Sequence, residues 1–142
     1  MATRDLVNNI SLVLSVPPVL ATASTTTGAV AVDTQGYESA TFVFNTGAVS
    51  GACTVDLSLV ECATVNGTYT AVATSDIIGG AYPATNTGTA NVTNAIGYKG
   101  SKRFLKAQVA LGGTVSTGAS VGAVAVLSHA RHLGGAMTTL VI

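Results

Sequence analysis

Residues 53–64 read CTVDLSLVECAT, and they carry the clearest period of two in the chain. Val55, Leu57 and Leu59 fall on one side, and Asp56, Ser58 and Val60 on the other. That is the spacing of a strand with one face in a core. Asn66-Gly67 follows. This dipeptide is a strong short-range hairpin signal and predicts a returning strand over 68–74.

Outward from this pair the same texture continues. Thr and Val dominate, Gly punctuates at short intervals, and runs of helix-forming Leu, Glu, Lys and Gln are absent. Residues 39–45 (SATFVFN) predict a strong strand, and 29–33 and 89–98 weaker ones. Along 102–111, Arg103 and Leu105 begin a face that Ala107, Val109 and Leu111 continue. Residues 120–128 are almost wholly apolar and predict a central, buried strand. Residues 77–87 read as a loop. At the start, 11–16 is extended, but Pro17-Pro18 removes two ladder donors, so residues 1–23 are an edge strand or an arm. Gly134-Gly135 breaks the chain before an apolar tail, 134–142. The expectation is one all-β domain over 1–142. It is an antiparallel β-sandwich of about eight to nine strands, a jelly roll first and an immunoglobulin-like fold second. No Trp stands between the cysteines, as it does in true immunoglobulin domains.

Composition narrows the function. Only 8% of the 142 residues are charged, six basic against six acidic, where about 25% is usual. A neutral surface of Thr, Ser, Asn, Gly and Ala loses little on desolvation and suits life inside an assembly. It does not suit nucleic acid, whose binding draws on neutralised phosphates. The one basic cluster, Lys99, Lys102, Arg103 and Lys106, reads as a strand edge or a salt-bridging contact. No run approaches the roughly 20 apolar residues of a membrane helix. Residues 12–20 before Ala21-Thr22-Ala23 have a leader-like look, but Asp5, Asn8-Asn9 and Pro17-Pro18 argue against cleavage. On a single strand, Cys53 and Cys62 would lie roughly 30 Å apart, too far for a disulfide. Free thiols and a reducing compartment are expected.

A catalytic set is hard to assemble. His129 and His132 flank Arg131, and Ser128 precedes them, but neighbours on a strand face opposite ways. Asp33, Glu38, Asp56, Glu61 and Asp76 are scattered. Gly97-Tyr98-Lys99-Gly100-Ser101-Lys102 lacks P-loop spacing and reads as a turn entering a strand. The expectation is no enzyme, no metal and no cofactor.

Four stretches carry a resemblance. They are Arg4-Asp5-Leu6-Val7-Asn8-Asn9 with its apolar continuation, Gln35-Gly36-Tyr37 leading into SATFVFNTG, Gly97 to Phe104 leading into the strand to Val109, and 120–133 (SVGAVAVLSHARHL). In this order they resemble the capsid decoration, or cement, proteins of tailed bacteriophages. The resemblance implies a small sandwich or jelly roll, made in the bacterial host cytoplasm, that clamps subunits of the major capsid protein from outside the virion. It also implies contacts repeated by symmetry and a homo-oligomer, dimer or trimer. The expected contacts are Arg4, Asp5, Leu6, Leu12 and Val16 on the arm, Lys99, Lys102 and Arg103 on the basic turn, and Leu140 and Ile142 on the tail. Two other readings compete. One is a carbohydrate- or receptor-binding module with a platform of Tyr69, Tyr82 and Tyr98. The other is a tail or fibre subunit.

Overall fold

The β-branched stretches all become strands, and their pairing is nested. A computed structural model describes residues 6–22, 30–79, 84–85 and 90–131. Besides two 3-10 turns, at Val7–Asn9 and Thr74–Asp76, the long strands are β1 (Ile10–Ala21), β3 (Tyr37–Val49), β4 (Cys53–Cys62), β8 (Val92–Tyr98), β9 (Phe104–Gly113) and β10 (Ala119–Ala130). Four two-residue strands complete the set: β2 (Val32–Asp33), β5 (Thr70–Ala71), β6 (Ile77–Ile78) and β7 (Ala84–Thr85).

All the pairings are antiparallel. β1 pairs β10, β2 pairs β9, β3 pairs β8 and β4 pairs β5. The chain thus folds as one long hairpin rolled on itself. One sheet runs β1-β10-β3-β8-β6, and the other runs β2-β9-β4-β5 with β7 also on β4. This order is the jelly roll. In the immunoglobulin-like alternative the first two strands are neighbours in one sheet. Here they lie in different sheets.

The inner faces make one core. Phe42 and Phe44 of β3, Ala123, Ala125 and Leu127 of β10, and Ile96 of β8 meet Val55, Leu57 and Leu59 of β4 and Leu105, Ala107 and Val109 of β9. The alternation read over 53–62 and 102–111 is the alternation of burial. Small residues on β10 let it sit centrally between β1 and β3 beneath two Phe rings. β3 runs four residues past the expected Asn45, to Val49.

Three expectations need correction. First, of the two readings for residues 1–23, edge strand or arm, the described part takes the edge strand, and one contact expected on it is misplaced. β1 is an edge strand that continues through Pro17-Pro18, with register shifts between Leu14 and Val16 and again between Val16 and Val19. Proline is tolerated here because an edge strand needs only one ladder. The same bulged stretch turns Ser15 and Val16 fully inward. Val16 is therefore core, not the contact residue expected. Removing residues 1–16 would take both from the interior. Second, β5 spans only Thr70–Ala71, and Asn66-Gly67 sits inside a wider loop. That loop has bonds of its own, from Gly67 N–H to Thr64 O at 3.2 Å and from Tyr69 OH to Val65 O at 3.0 Å. Third, the expected loop over 77–87 contains β6 and β7, which extend the two sheets.

Ser15 ties the two sheets together. Its hydroxyl accepts from Ala107 N–H of β9 at 3.1 Å, and its carbonyl accepts from Val30 N–H, just before β2, at 2.8 Å. Ser15→Ala strands a buried amide and should lower unfolding free energy by about 1–3 kcal/mol. Urea denaturation should show this loss for Ser15→Ala and almost none for the partly exposed Ser11→Ala.

Candidate interaction surfaces

Two surfaces are built by the fold, one polar and at an end, the other apolar and on a face. The polar end begins with the turn between β8 and β9. Tyr98 closes β8 with its ring in the core, 8% exposed. Its hydroxyl donates to Glu61 Oε2 at 2.6 Å and accepts from Lys102 N–H at 2.9 Å. Burial first, then the bond to Glu61, pushes this phenol well above its ordinary pKa, so it stays protonated as a donor. Lys99 N–H bonds Asp76 O at 2.9 Å, and Thr34 N–H and Oγ1 both bond Arg103 O. Gly100 lies so close to the Tyr98 ring that a Cβ there would collide with it. The turn is thus held from three sides, and it presents Lys99 and Lys102 to solvent.

The four cations of the expected basic cluster do different things. Arg103 forks onto Asp33, with Nε at 2.8 Å and Nη2 at 2.6 Å, and stacks 4.8 Å from the Phe104 ring centre. Lys106 lies 4.1 Å over the Tyr69 ring on the outer face of the β4–β9 sheet. Among the described residues, Lys99 and Lys102 have no acidic partner.

Beside the turn, a cleft of about 680 Å³ runs from Lys99–Arg103 along Thr34–Ala40 to Arg131. A second, of about 770 Å³, runs from Arg131 and Glu38 to Leu6, Asn9 and Ile10. The Arg131–Glu38 pair, 3.4 Å apart, lies on both. The root of β1, the basic turn and the exit of β10 therefore share one end of the sandwich. Of the expected contacts, Leu6, Lys99, Lys102 and Arg103 meet there. Arg4, Asp5, Leu140 and Ile142 lie outside the described residues.

The same end holds a set that sequence reasoning dismissed. Ser128 Oγ and Ser39 Oγ lie 3.0 Å and 3.2 Å from His129 Nδ1 and 2.5 Å from each other. Neighbours on a regular strand face opposite ways, but His129 has φ 56°, in the left-handed region, and this swings its ring back beside Ser128. No periodicity signals such a turn. Among the described residues no carboxylate bonds the ring, so the orienting acid of a triad is missing. Nor do three His, Cys, Asp or Glu residues gather into a metal site there. Cys53 and Cys62, at opposite ends of β4, are free thiols.

The apolar surface is the outer face of the β1-β10-β3-β8 sheet. Register places Leu14, Val124, Val43 and Ala95 in one row, and Leu12, Val126, Thr41 and Gly97 in the next. Leu12 is 46% exposed and Leu14 38%. The bulge of β1 continues the face into an apolar groove of about 410 Å³ along Pro18, Val19, Leu20 and Gly122. The opposite sheet turns Asp56, Ser58, Lys106 and Gln108 outward. The tyrosine platform is not assembled: Tyr98 is core, Tyr69 bonds Val65 O under Lys106, and Tyr82 lies outside the described residues.

Fold and surfaces define a small jelly-roll module with one structured basic end and one apolar face. No protein-family model matches the chain, and no curated protein or solved structure matches it either. Among the described residues no helix is long and apolar enough to cross a membrane.

The Asp33–Arg103 fork makes a pH prediction. The bond from Arg103 holds the Asp33 carboxyl below its ordinary 3.8, against a smaller opposing effect of burial. A carboxylate lowered on folding contributes stability above its unfolded pKa and loses it as pH falls through the folded value. The pair should therefore persist through mild acid. A carbon-detected NMR titration should place the Asp33 midpoint below 3.8, and Arg103→Gln should raise it.

Proposed function

We propose that this protein is a structural virion component, a decoration protein that binds the outside of an assembled tailed-phage capsid and stabilises contacts between major capsid protein subunits. It acts by binding alone, with no chemical step. The observation that carries the reading is the turn over Lys99–Arg103. Two lysines with no acidic partner among the described residues stand on a turn clamped by Tyr98, Asp76 and Thr34, at the end where β1 begins and β10 leaves.

A clamped turn loses little freedom when it meets a partner, so the charges act at low entropic cost. Charges at a rim also steer and orient docking on an acidic surface. Each contact is small, but many copies act on one closed shell. A ligand of the assembled shell that ignores loose subunits shifts the equilibrium toward assembly by mass action. The resemblance of the four sequence stretches to capsid decoration proteins points the same way.

The test is co-sedimentation of the full chain with capsids that lack it, beside unassembled capsid subunits. Selective pelleting with shells, and a higher temperature for shell disruption, are expected. The double variant Lys99→Glu/Lys102→Glu should weaken pelleting about tenfold while keeping the fold, since each reversal opposes the acidic surface. Equal binding to loose subunits, or binding to neither, would sink the reading.

A further inference from the structure

We propose that the interior of the sandwich binds one structural water molecule, held between Thr46 Oγ1 of β3 and Asn94 Nδ2 of β8. The inference stands apart from shell binding, because it concerns the inside of the fold and needs no capsid.

The starting point is a pair of polar atoms on the inner face of the β3–β8 ladder. Burial along β3 alternates through Ala40, Phe42, Phe44 and Thr46, so Thr46 points inward, and it is only 3% exposed. Thr46 stands opposite Val92, and Phe44 stands opposite Asn94. Directly opposed residues share a face. Asn94 therefore lies on the inner side of β8 with Ile96 and Tyr98. Its Nδ2 and the Thr46 Oγ1 are both buried, and neither has a hydrogen-bond partner among the described residues. A buried hydroxyl or amide without a partner is destabilising. In native proteins such atoms are met by protein groups or by ordered water.

Register explains why the two do not meet each other, and why a water fits. On the outer face, in the row between theirs, Asn45 and Thr93 stand directly opposite, and Thr93 Oγ1 donates to Asn45 Oδ1 at 2.8 Å. Inside, Thr46 and Asn94 occupy opposite corners of a square whose other corners are Val92 and Phe44. Directly opposed Cβ atoms are about 5 Å apart, whereas diagonal neighbours stand roughly 7 Å apart. A direct bond would need both short side chains extended along that diagonal, past Phe44 and Val92. A water, accepting one bond of about 2.8 Å and donating another, spans the gap without that extension. The chemistry agrees as well. Asn94 Nδ2 only donates, Thr46 Oγ1 donates or accepts, and water does both. Phe44, Val92 and the Val121 that flanks Thr46 on β10 are apolar. They offer no competing side-chain bond, and the ladder carbonyls, each with a second lone pair, are left to take the remaining hydrogens.

Magnetic relaxation dispersion of the water oxygen, measured on the full chain, tests this. It counts long-lived internal waters and is blind to exchanging hydroxyl protons. The wild type should hold one more such water than Thr46→Val/Asn94→Leu, and Thr46→Ser, which keeps the hydroxyl, should retain it. Thr46→Val, which keeps the side-chain shape, carries the comparison if the double variant does not fold, as judged by far-ultraviolet circular dichroism. Urea denaturation gives a second reading, through its sign. A hydroxyl met by water makes Thr46→Val lower the midpoint. The double variant should then lose less than the two single changes together, because both partners go at once. Equal dispersion for the wild type and a folded variant lacking the hydroxyl overturns the proposal. So does a Thr46→Val variant with a raised midpoint, since the hydroxyl would then be unmet in the wild type. A crystal structure in which Thr46 and Asn94 bond each other directly overturns it too. None of these results bears on the lysine turn, whose variants are read by shell pelleting.

Discussion

The buried hydroxyl of Ser15 is the constraint on which the closure of this sandwich depends. A jelly roll must bring its first strand, in one sheet, over an edge of the other. Here β1 does so by bulging at Ser15 and Val16, so that one strand pairs β10 and still reaches β9 and the approach to β2. A serine in a core is otherwise a liability, because an unmet hydroxyl in an apolar setting is destabilising. Its position is stable because Ala107 N–H and the Val30 backbone meet it, through one side-chain bond at 3.1 Å, one backbone bond at 2.8 Å and a weaker contact to Val30 O. The prolines that follow would break a central strand. On this edge they instead leave fewer free donors for unwanted strand pairing.

With so few charges in the chain, their placement shapes the surface. Arg103 and Arg131 are each paired, to Asp33 and Glu38. Lys106 covers the Tyr69 ring. What remains free among the described cations is the pair on the Tyr98-clamped turn, so the basic character of the protein is concentrated at one end. The wide face beside it carries no charge among the described residues, with Leu and Val on β1 and β10 and Ser, Thr and Asn around Val43 on β3. A charged end and an uncharged face differ in chemistry, and they point in different directions from one core.

Much of this was legible beforehand, and the failures share a cause. Val55, Leu57 and Leu59, and likewise Leu105 to Leu111, declared their inward faces by period alone. The small residues of 120–128 declared a central strand, and Cys53 and Cys62 declared their separation along β4. The basic turn was recognisable as a turn, but the clamp on it was not, because Glu61 and Thr34 are distant in sequence. Tyr98 was weighed as a surface platform when its alternation with Ile96 marks it as core. Ser128 and His129 were separated on paper by strand geometry and joined in space by one left-handed residue. Val16 was counted among the contacts because a bulge that inverts the alternation leaves no mark in composition.

By itself, then, the sequence determined that the protein is all-β, where its long strands run, and which side of most of them is buried. Those properties are local: a period of two needs only neighbours a few residues apart. The tertiary structure alone decided that the strands nest as a jelly roll, that the edge strand closes the sandwich through Ser15, and that Leu12 and Leu14 of β1 line up on the outside with Val126 and Val124 of β10. Each of these rests on pairings between residues up to more than a hundred positions apart, such as Ile10 with Ser128. An alternating pattern states that a strand needs a partner, and it does not state which one.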